Sequence, residues 1–237
     1  MRSRGENFYL ITSLPSLGEL GNAPPISAEQ LLQRVGIDHP AREAVEAILL
    51  GDDLLQRESA AAGEIEEVSP AVLTPAQARD EEPLPKPMLV EQRQAPRVAA
   101  DALWANYFHY VADVAAATGC EFLRRWVGFE VALRNTVAEQ RATDLGLDAS
   151  AYRVADDLSD EMADLRSAVN EWSNAPNPLD ALRALDRARW EWMNRNDAWF
   201  SFSDDELAVY AARLVLLIRW NRLTEAEGED LLSSAIL

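Results

Sequence analysis

The chain is poor in the residues on which most site chemistry is built. Its 237 residues include one cysteine, Cys120, and two histidines, His39 and His109. A single cysteine excludes a disulfide framework and a cysteine-built zinc site, and it points to a reducing compartment. Lysine is almost missing: Lys86 is the only one, and the remaining basic residues are arginine. There is no long apolar run. The densest, Leu214 to Ile218, falls far short of the roughly 20 residues a spanning helix needs. Near the start, Arg2 and Arg4 precede a short apolar patch, Phe8 to Leu14, which Pro15 interrupts. No small-residue cleavage site follows, so no signal peptide is expected. Gly-x-Gly-x-x-Gly, P-loop, His-Glu-x-x-His and Gly-x-Ser-x-Gly patterns are all missing, as is the Glu-x-x-His spacing of di-iron bundles.

Positive charge is also scarce. The 22 basic residues face 40 acidic ones, for a net charge of −18. That balance argues against a nucleic-acid-binding surface and against electrostatic docking on anionic lipid, because both need positive faces. What is present is apolar material: 48% of residues are hydrophobic, which excludes a wholly disordered chain and is enough for a sizeable core.

Periodicity reads as helix almost throughout, predicting an all-α, two-lobed array with at most one short N-terminal strand. Phe8 to Leu14 fits either that strand or a buried helical turn. Ser27-Ala28-Glu29-Gln30 is a capping box opening a helix through Leu31, Leu32 and Val35. Asp38 and Pro40 open a second, with Ala44, Val45, Ile48 and Leu49 at helical spacing and Gly51 ending or bending it. These elements make up an N-terminal segment, 1–60. An acidic, proline-punctuated connector follows over 61–96, in which Thr74-Pro75-Ala76-Gln77 can cap one short helix. The helical domain is 97–237. Leu103, Tyr107, Tyr110 and Val114 share a face of a helix ended by Gly119. Phe122, Trp126, Phe129, Leu133 and Val137 fall within about 80° of one another on the next, which Gly146 stops. Asp148 caps a short turn, Ser159 a helix through Val169 and Trp172, and Asn177-Pro178 a helix through Leu185 and Trp192. Ser203 and Thr224 begin two more capping boxes, the latter before a short C-terminal helix. Between them, Leu207, Ala211, Leu214 and Ile218 occupy one face and Val209, Leu216 and Trp220 the opposite one. A helix apolar nearly all round is either central or covered by a partner.

Candidate chemistry is thin, and no catalytic, cofactor or metal residue is assigned. His109 and Asp113 have an i, i+4 spacing that could ligate a metal, but a solvated polar face explains them. His39 is expected at the surface. Cys120 starts a helix, where a thiol pKa can fall; a small buried residue is the simpler reading. Acid pairs such as Asp156-Asp157 and Asp204-Asp205 sit at helix starts, where the helix dipole favours them. Arginine and tryptophan carry more information. Arg124, Arg125, Arg134 and Arg141 lie on the Trp126 helix, with Glu130 and Arg134 spaced as an i, i+4 ion pair. A second island holds Arg183, Arg187, Arg189, Trp190, Trp192, Arg195 and Trp199. Trp190 and Trp192 differ by about 200°, so one helix contact cannot easily bury both. Either these residues flank packed helices or they form an interface, where Arg and Trp are over-represented. The candidate partner-binding residues are Arg124, Arg125, Trp126, Arg134, Arg141, Trp190, Arg195, Arg219 and Trp220.

Phe8-Tyr9-Leu10-Ile11-Thr12-Ser13-Leu14-Pro15, followed by Pro24-Pro25-Ile26-Ser27 and Leu31, resembles the opening of a bacterial family of unknown function found with V-type ATPase genes. Phe122-Leu123-Arg124-Arg125-Trp126, Phe129-Glu130, Leu133-Arg134-Asn135, Ala138, Arg141-Ala142 and Leu145-Gly146 strengthen this. That helix is also similar to the repeated helix of the C-type stalk protein of V/A-type ATPases, whose eukaryotic counterpart is the d-type stalk protein. Glu206-Leu207, Tyr210, Arg213, Leu217 and Arg219-Trp220 resemble the last repeat of that protein more loosely. The resemblance implies a non-catalytic helical protein of the central stalk or an assembly partner, with rotor subunits and the membrane proteolipid ring as partners. It implies a cytoplasmic location, peripheral on the inner face of the membrane through those partners. It implies no cofactor and no reaction. The chain is shorter than the usual stalk protein, which has three helical units. The other expectation is a helical enzyme or small-ligand protein with a site between lobes near Arg134 and Arg141.

Overall fold

The computed structural model describes residues 4–89 and 99–235, and among them every regular element is helical. Residues 90–96 of the acidic connector, like Met1 to Ser3, lie outside the described residues. The elements are α1 (Arg4–Ser13), α2 (Ala28–Val35), α3 (Arg42–Ala61), α4 (Pro75–Ala78), α5 (Ala99–Thr118), α6 (Glu121–Asp144), α7 (Arg166–Ser173), α8 (Pro178–Arg195) and α9 (Asp204–Ala235). Short 3₁₀ turns occupy Lys86–Met88, Ala149–Tyr152 and Asp156–Leu158.

Local signals explain several boundaries. Ser27 Oγ accepts from the Gln30 amide at 3.1 Å, and Gln30 Oε1 accepts from the Ser27 amide at 2.9 Å, closing the expected box. Thr74 and Gln77 do the same for α4. Asn177 caps α8 through the Asp180 amide at 2.8 Å, and Asp148 caps its turn through the Ser150 amide. Gly119 and Gly146 both adopt the left-handed conformation behind α5 and α6.

Other boundaries differ from expectation, and each difference has a physical cause. Phe8 to Leu14 belongs to helix α1 and the start of the loop behind it, not to a strand. No neighbouring strand is there to pair with among the described residues, and a helix satisfies its own backbone groups. Asp38 and Pro40 precede α3 without capping it; His39 Nδ1 accepts from the Ala41 amide instead. Gly51 neither ends nor bends α3 out of register: the helix runs ten residues beyond it. Its missing side chain makes room for Tyr107 of α5, whose hydroxyl donates to the Ala47 carbonyl at 3.1 Å. Ser159 does not begin a helix. The chain from Val154 to Asp164 is held irregular against α6: Asn135, buried, bonds the Val154 amide and carbonyl, and the Asp160 amide donates to the Gly128 carbonyl. Helix α7 therefore starts only at Arg166, and Met162 is 90% exposed. Thr224 starts no new helix, since α9 passes through it, and its hydroxyl donates to the Trp220 carbonyl one turn back. At the start of α9, Glu206 reaches past Ser203. It accepts from the amides of Phe202 (2.7 Å) and Phe200 (3.2 Å), both in left-handed backbone at φ 51° and 61°.

The first half of α9 is central: Leu207, Ala208, Val209, Ala211, Leu214, Leu216 and Leu217 are all buried. Helices α1, α2, α3, α6 and α8 pack on it. One core joins α2 and α3 to α5, α6 and α9, and a smaller one sits between α6 and α7 around Phe129, Leu133, Leu165 and Val169. Residues 69–80 are tied to α3, and Lys86–Met88 pack on α5. Asp53 accepts from the amides of Ala71, Val72 and Leu73 at 2.7–2.8 Å, and Gln56 accepts from the Ser69 amide.

Helix α3 generates two tests. A Cβ on residue 51 would stand 2.5 Å from the Tyr107 hydroxyl, which is buried and cannot swing away. Gly51→Ala is therefore expected to destabilise by about 1–2 kcal/mol, despite the better helix propensity of alanine. Adding Tyr107→Phe should recover part of the loss, as read by urea denaturation. Burial pushes the Asp53 carboxyl from 3.8 up to about 6, against the pull of its three amide donors, with Asp52 adding to the rise. Between pH 6 and 4 the folded state thus holds a proton that the unfolded state lacks, so this group's contribution to stability grows as pH falls and is lowest above pH 6. The wild type should gain on the order of 2 kcal/mol relative to Asp53→Asn across that window. A pH-independent difference between the two unfolding curves would contradict this.

Candidate functional site

Five helices, α3, α5, α6, α8 and α9, enclose a cleft of about 940 Å³. Helical periodicity puts their apolar rows inside. Leu55 comes from α3, Trp104, Tyr107 and Val111 from α5, and Trp126, Val127, Leu133 and Val137 from α6. Leu182 and Leu185 come from α8, and Val215 and Leu216 from α9. Below Trp126, an aromatic cluster closes α6 onto α8: Trp192 lies 5.4 Å from Trp126, 4.9 Å from Phe129 and 5.9 Å from Phe122, centroid to centroid. Such contacts add about 0.5–1.5 kcal/mol each beyond the area they bury.

The polar part of the lining is arginine matched with carboxylate. Arg189 of α8 forks onto both oxygens of Glu130 of α6, at 2.7 and 3.0 Å. It also donates to Asp186 at 3.0 Å, and Arg219 of α9 donates to the same Asp186 oxygen at 2.6 Å. Asp186 is fully buried, and its other oxygen has no hydrogen-bond partner among the described residues. Burial works against charge on Arg189, but Glu130 and Asp186 more than offset it and hold its pKa above the ordinary value. Arg222 binds both oxygens of Asp52 at 2.6 Å, linking α9 to α3. Arg134 stands 5.0 Å over the ring of Trp104, with Asp101 only at 3.5 Å. Burial lowers its pKa, and Asp101 and Glu58 oppose that shift without cancelling it. Arg141 lies 5.1 Å over Trp172, with no carboxylate within ion-pair distance among the described residues.

Of the candidate partner-binding residues, Trp126, Arg134, Arg141 and Arg219 line this cleft, and so does Arg189 of the second arginine and tryptophan island. Arg124, Arg125 and Arg195 lie outside its lining: Arg124 pairs with Glu121, Arg125 donates to Asn196, and Arg195 donates to the Glu191 carbonyl. Trp190 and Trp192 do point to different neighbours. Trp190 is buried under Arg213 of α9 at 5.7 Å, while Trp192 joins the α6 cluster. Trp220 is half-buried beneath Arg183 at 5.6 Å. The expected Glu130–Arg134 pair is not formed; Glu130 pairs across to Arg189, and Arg134 turns to Trp104. Spacing could not reveal Asp52, Asp101, Arg222 or Tyr107 as cleft residues, since each is selected by a contact between helices.

Outside the cleft, His109 bonds the Ala105 carbonyl and Asp157. Partial burial opposes its charge, yet these two acceptors leave its pKa raised. Among the described residues no group of three or more His, Cys, Asp or Glu side chains is placed to hold a metal. Cys120 is buried, and burial pushes its thiol up to about 12. The thiol donates to Asp205 of α9, which also accepts from the Phe122 amide at 2.9 Å and so caps α6 from another helix. No helix among the described residues is long and apolar enough to cross a membrane.

Fold and cleft thus define an all-α protein with a ligand-sized, arginine-lined cavity. Residues 86–236 match DUF2764, described as a protein of unknown function, and the chain belongs to that family. The match takes in α5 to α9 and hence four of the five cleft helices, but neither α3 nor the Phe8 to Leu31 opening. No curated protein and no solved structure matches the chain.

The buried junction makes a direct prediction. Asp186→Ala would leave Arg189 short of one partner and Arg219 without its carboxylate inside the fold. A loss of about 3–5 kcal/mol in unfolding free energy is expected, against near-neutrality for an exposed pair such as Arg166→Ala.

Proposed function

We propose that this chain is a non-catalytic component or assembly partner of a V-type ATPase, a central-stalk protein of the C type that couples rotor to membrane proteolipid ring. The observation that carries the reading is the resemblance borne by α6. The Phe122 to Gly146 pattern, similar to the repeated helix of the C-type stalk protein, lies inside the family match, and its Phe122 to Ala142 part is one unbroken helix. The cleft supports it through its charges. Asp52, Asp101 and Glu130 each pair with an arginine of another helix, so these charges hold helices to one another. In this reading the protein sits in the cytoplasm, held at the inner face of the membrane by its protein partners. A tagged copy, expressed at native level and purified from membranes, should bring rotor subunits and proteolipid ring with it in stoichiometric amount. An active, fully assembled ATPase from the same cells, with the tagged chain missing from it and from every assembly intermediate, would overturn the proposal.

A second reading has its own support. Arg134 and Arg141 both line a cavity of about 940 Å³, within the range of small-molecule sites. That arrangement suits a small-ligand-binding protein, or a helical enzyme, with its site there.

A further inference from the structure

We infer that the cleft binds a single-chain amphipathic anion, a carboxylate or phosphate carried on a long apolar chain, with its charged end at Arg134 and with Arg141 as a second positive charge on the same helix. The inference rests on the ligand-binding reading above and names the class of ligand.

Charge comes first. Among the described residues the lining holds five arginines (134, 141, 189, 219 and 222) against four carboxylates (52, 67, 101 and 130), and Asp186, buried against Arg189 and Arg219, supplies a fifth, so the cleft is close to neutral. The whole chain carries −18. An anion repelled by most of this surface meets its least unfavourable potential here. The five arginines are not equivalent. Arg189, Arg219 and Arg222 each have a carboxylate oxygen within 2.7 Å and are engaged in holding helices together. Arg134 has only the 3.5 Å contact to Asp101, and Arg141 none among the described residues. Each stands over an indole ring instead, Trp104 and Trp172, a contact that fixes the guanidinium without consuming its N–H donors.

Spacing comes second. Arg134 and Arg141 are seven residues apart on α6, two turns on one face, about 10 Å along the axis. Val137 and Ala138 lie between them in the lining. Guanidinium forks recognise the paired oxygens of a carboxylate or phosphate.

Apolar extent comes third. Beyond the arginines the walls are Leu55, Val111, Leu185 and Val215, contributed by four different helices. A small polar anion would leave these walls in water, and a neutral hydrocarbon would leave half-buried Arg134 with no counter-charge beyond its 3.5 Å contact to Asp101. One molecule that satisfies both has a charged end and a long apolar chain.

The full-length chain can be titrated with laurate, dodecyl phosphate and dodecanol below their micelle concentrations, by calorimetry and by tryptophan fluorescence, since Trp104 and Trp126 line the site. Both anions are expected to bind one to one, at least about tenfold tighter than dodecanol, and the ratio between them identifies the head group. Arg134→Gln with Arg141→Gln should weaken the anions about tenfold and leave dodecanol unchanged, with Arg166→Gln, exposed and outside the lining, as control. Ala138→Trp should exclude all three ligands. If that variant fails to fold by circular dichroism, the arginine pair still carries the test. Equal affinity for laurate and dodecanol would overturn the anionic end while leaving a ligand cleft. No binding of any of the three, with a compact probe such as 1-anilinonaphthalene-8-sulfonate still bound at one site and displaced by Ala138→Trp, would overturn the long chain and keep the ligand-binding reading. Binding that Ala138→Trp, correctly folded, leaves intact would place the ligand elsewhere and overturn the inference outright. A protein of the central stalk that takes none of these probes would still co-purify with rotor subunits, so the two readings fail separately.

Discussion

A carboxylate with no access to water sits where α8 meets α9, and two guanidinia make that position tolerable. Asp186 has zero exposure, and one of its oxygens receives both Arg189 and Arg219. Taking such a group out of water costs several kcal/mol, which only close, well-oriented opposite charges offset. Arg189 in turn forks onto Glu130, so three helices share one charge network. This network fixes α6, α8 and α9 at a set rotation relative to one another, and so decides which of their faces look into the cleft.

The two ends of α6 show how differently the same helix is used. Near its start, Phe122, Trp126 and Phe129 pack against Trp192, and the helix surfaces are in contact. Farther along, Arg134 and Arg141 line open space, each stacked on an indole. Close packing at one end and space at the other follow from where the large aromatic residues fall. Stability and a binding cavity can therefore coexist along one helix: the aromatic end contributes the packing, and the arginine end contributes polarity without closing the gap. The stalk reading and the ligand reading both draw on this helix, through its sequence pattern in one case and its lining residues in the other.

Much of this fold was legible in the sequence. The Phe122–Trp126–Phe129–Leu133–Val137 stripe, the boxes at Ser27 and Thr74, the Asn177 cap and the two-faced apolar pattern of α9 all rest on interactions within a few residues, which spacing encodes directly. The failures are equally specific. Glu130 and Arg134 have the right separation to pair, yet a fork from Arg189 on another helix offers two short bonds and Trp104 offers Arg134 a ring. Ser159 and Thr224 carry the composition of caps, but contacts with α6 and the continuation of α9 override it. Gly51 has the identity of a helix stop and serves instead as a seat for a tyrosine from another helix, Tyr107, which bonds Ala47.

The sequence by itself determined that the chain is helical, where most helices begin, which stripes are apolar, and that no run can span a bilayer, because each depends on residues near one another along the chain. Only the tertiary structure decided that five of its arginines face one apolar cavity and that two of them stand on indoles with little or no carboxylate contact. Those facts depend on how helices are rotated and crossed against each other, and that is set by buried packing and by the charge network at Asp186, neither of which any local spacing records.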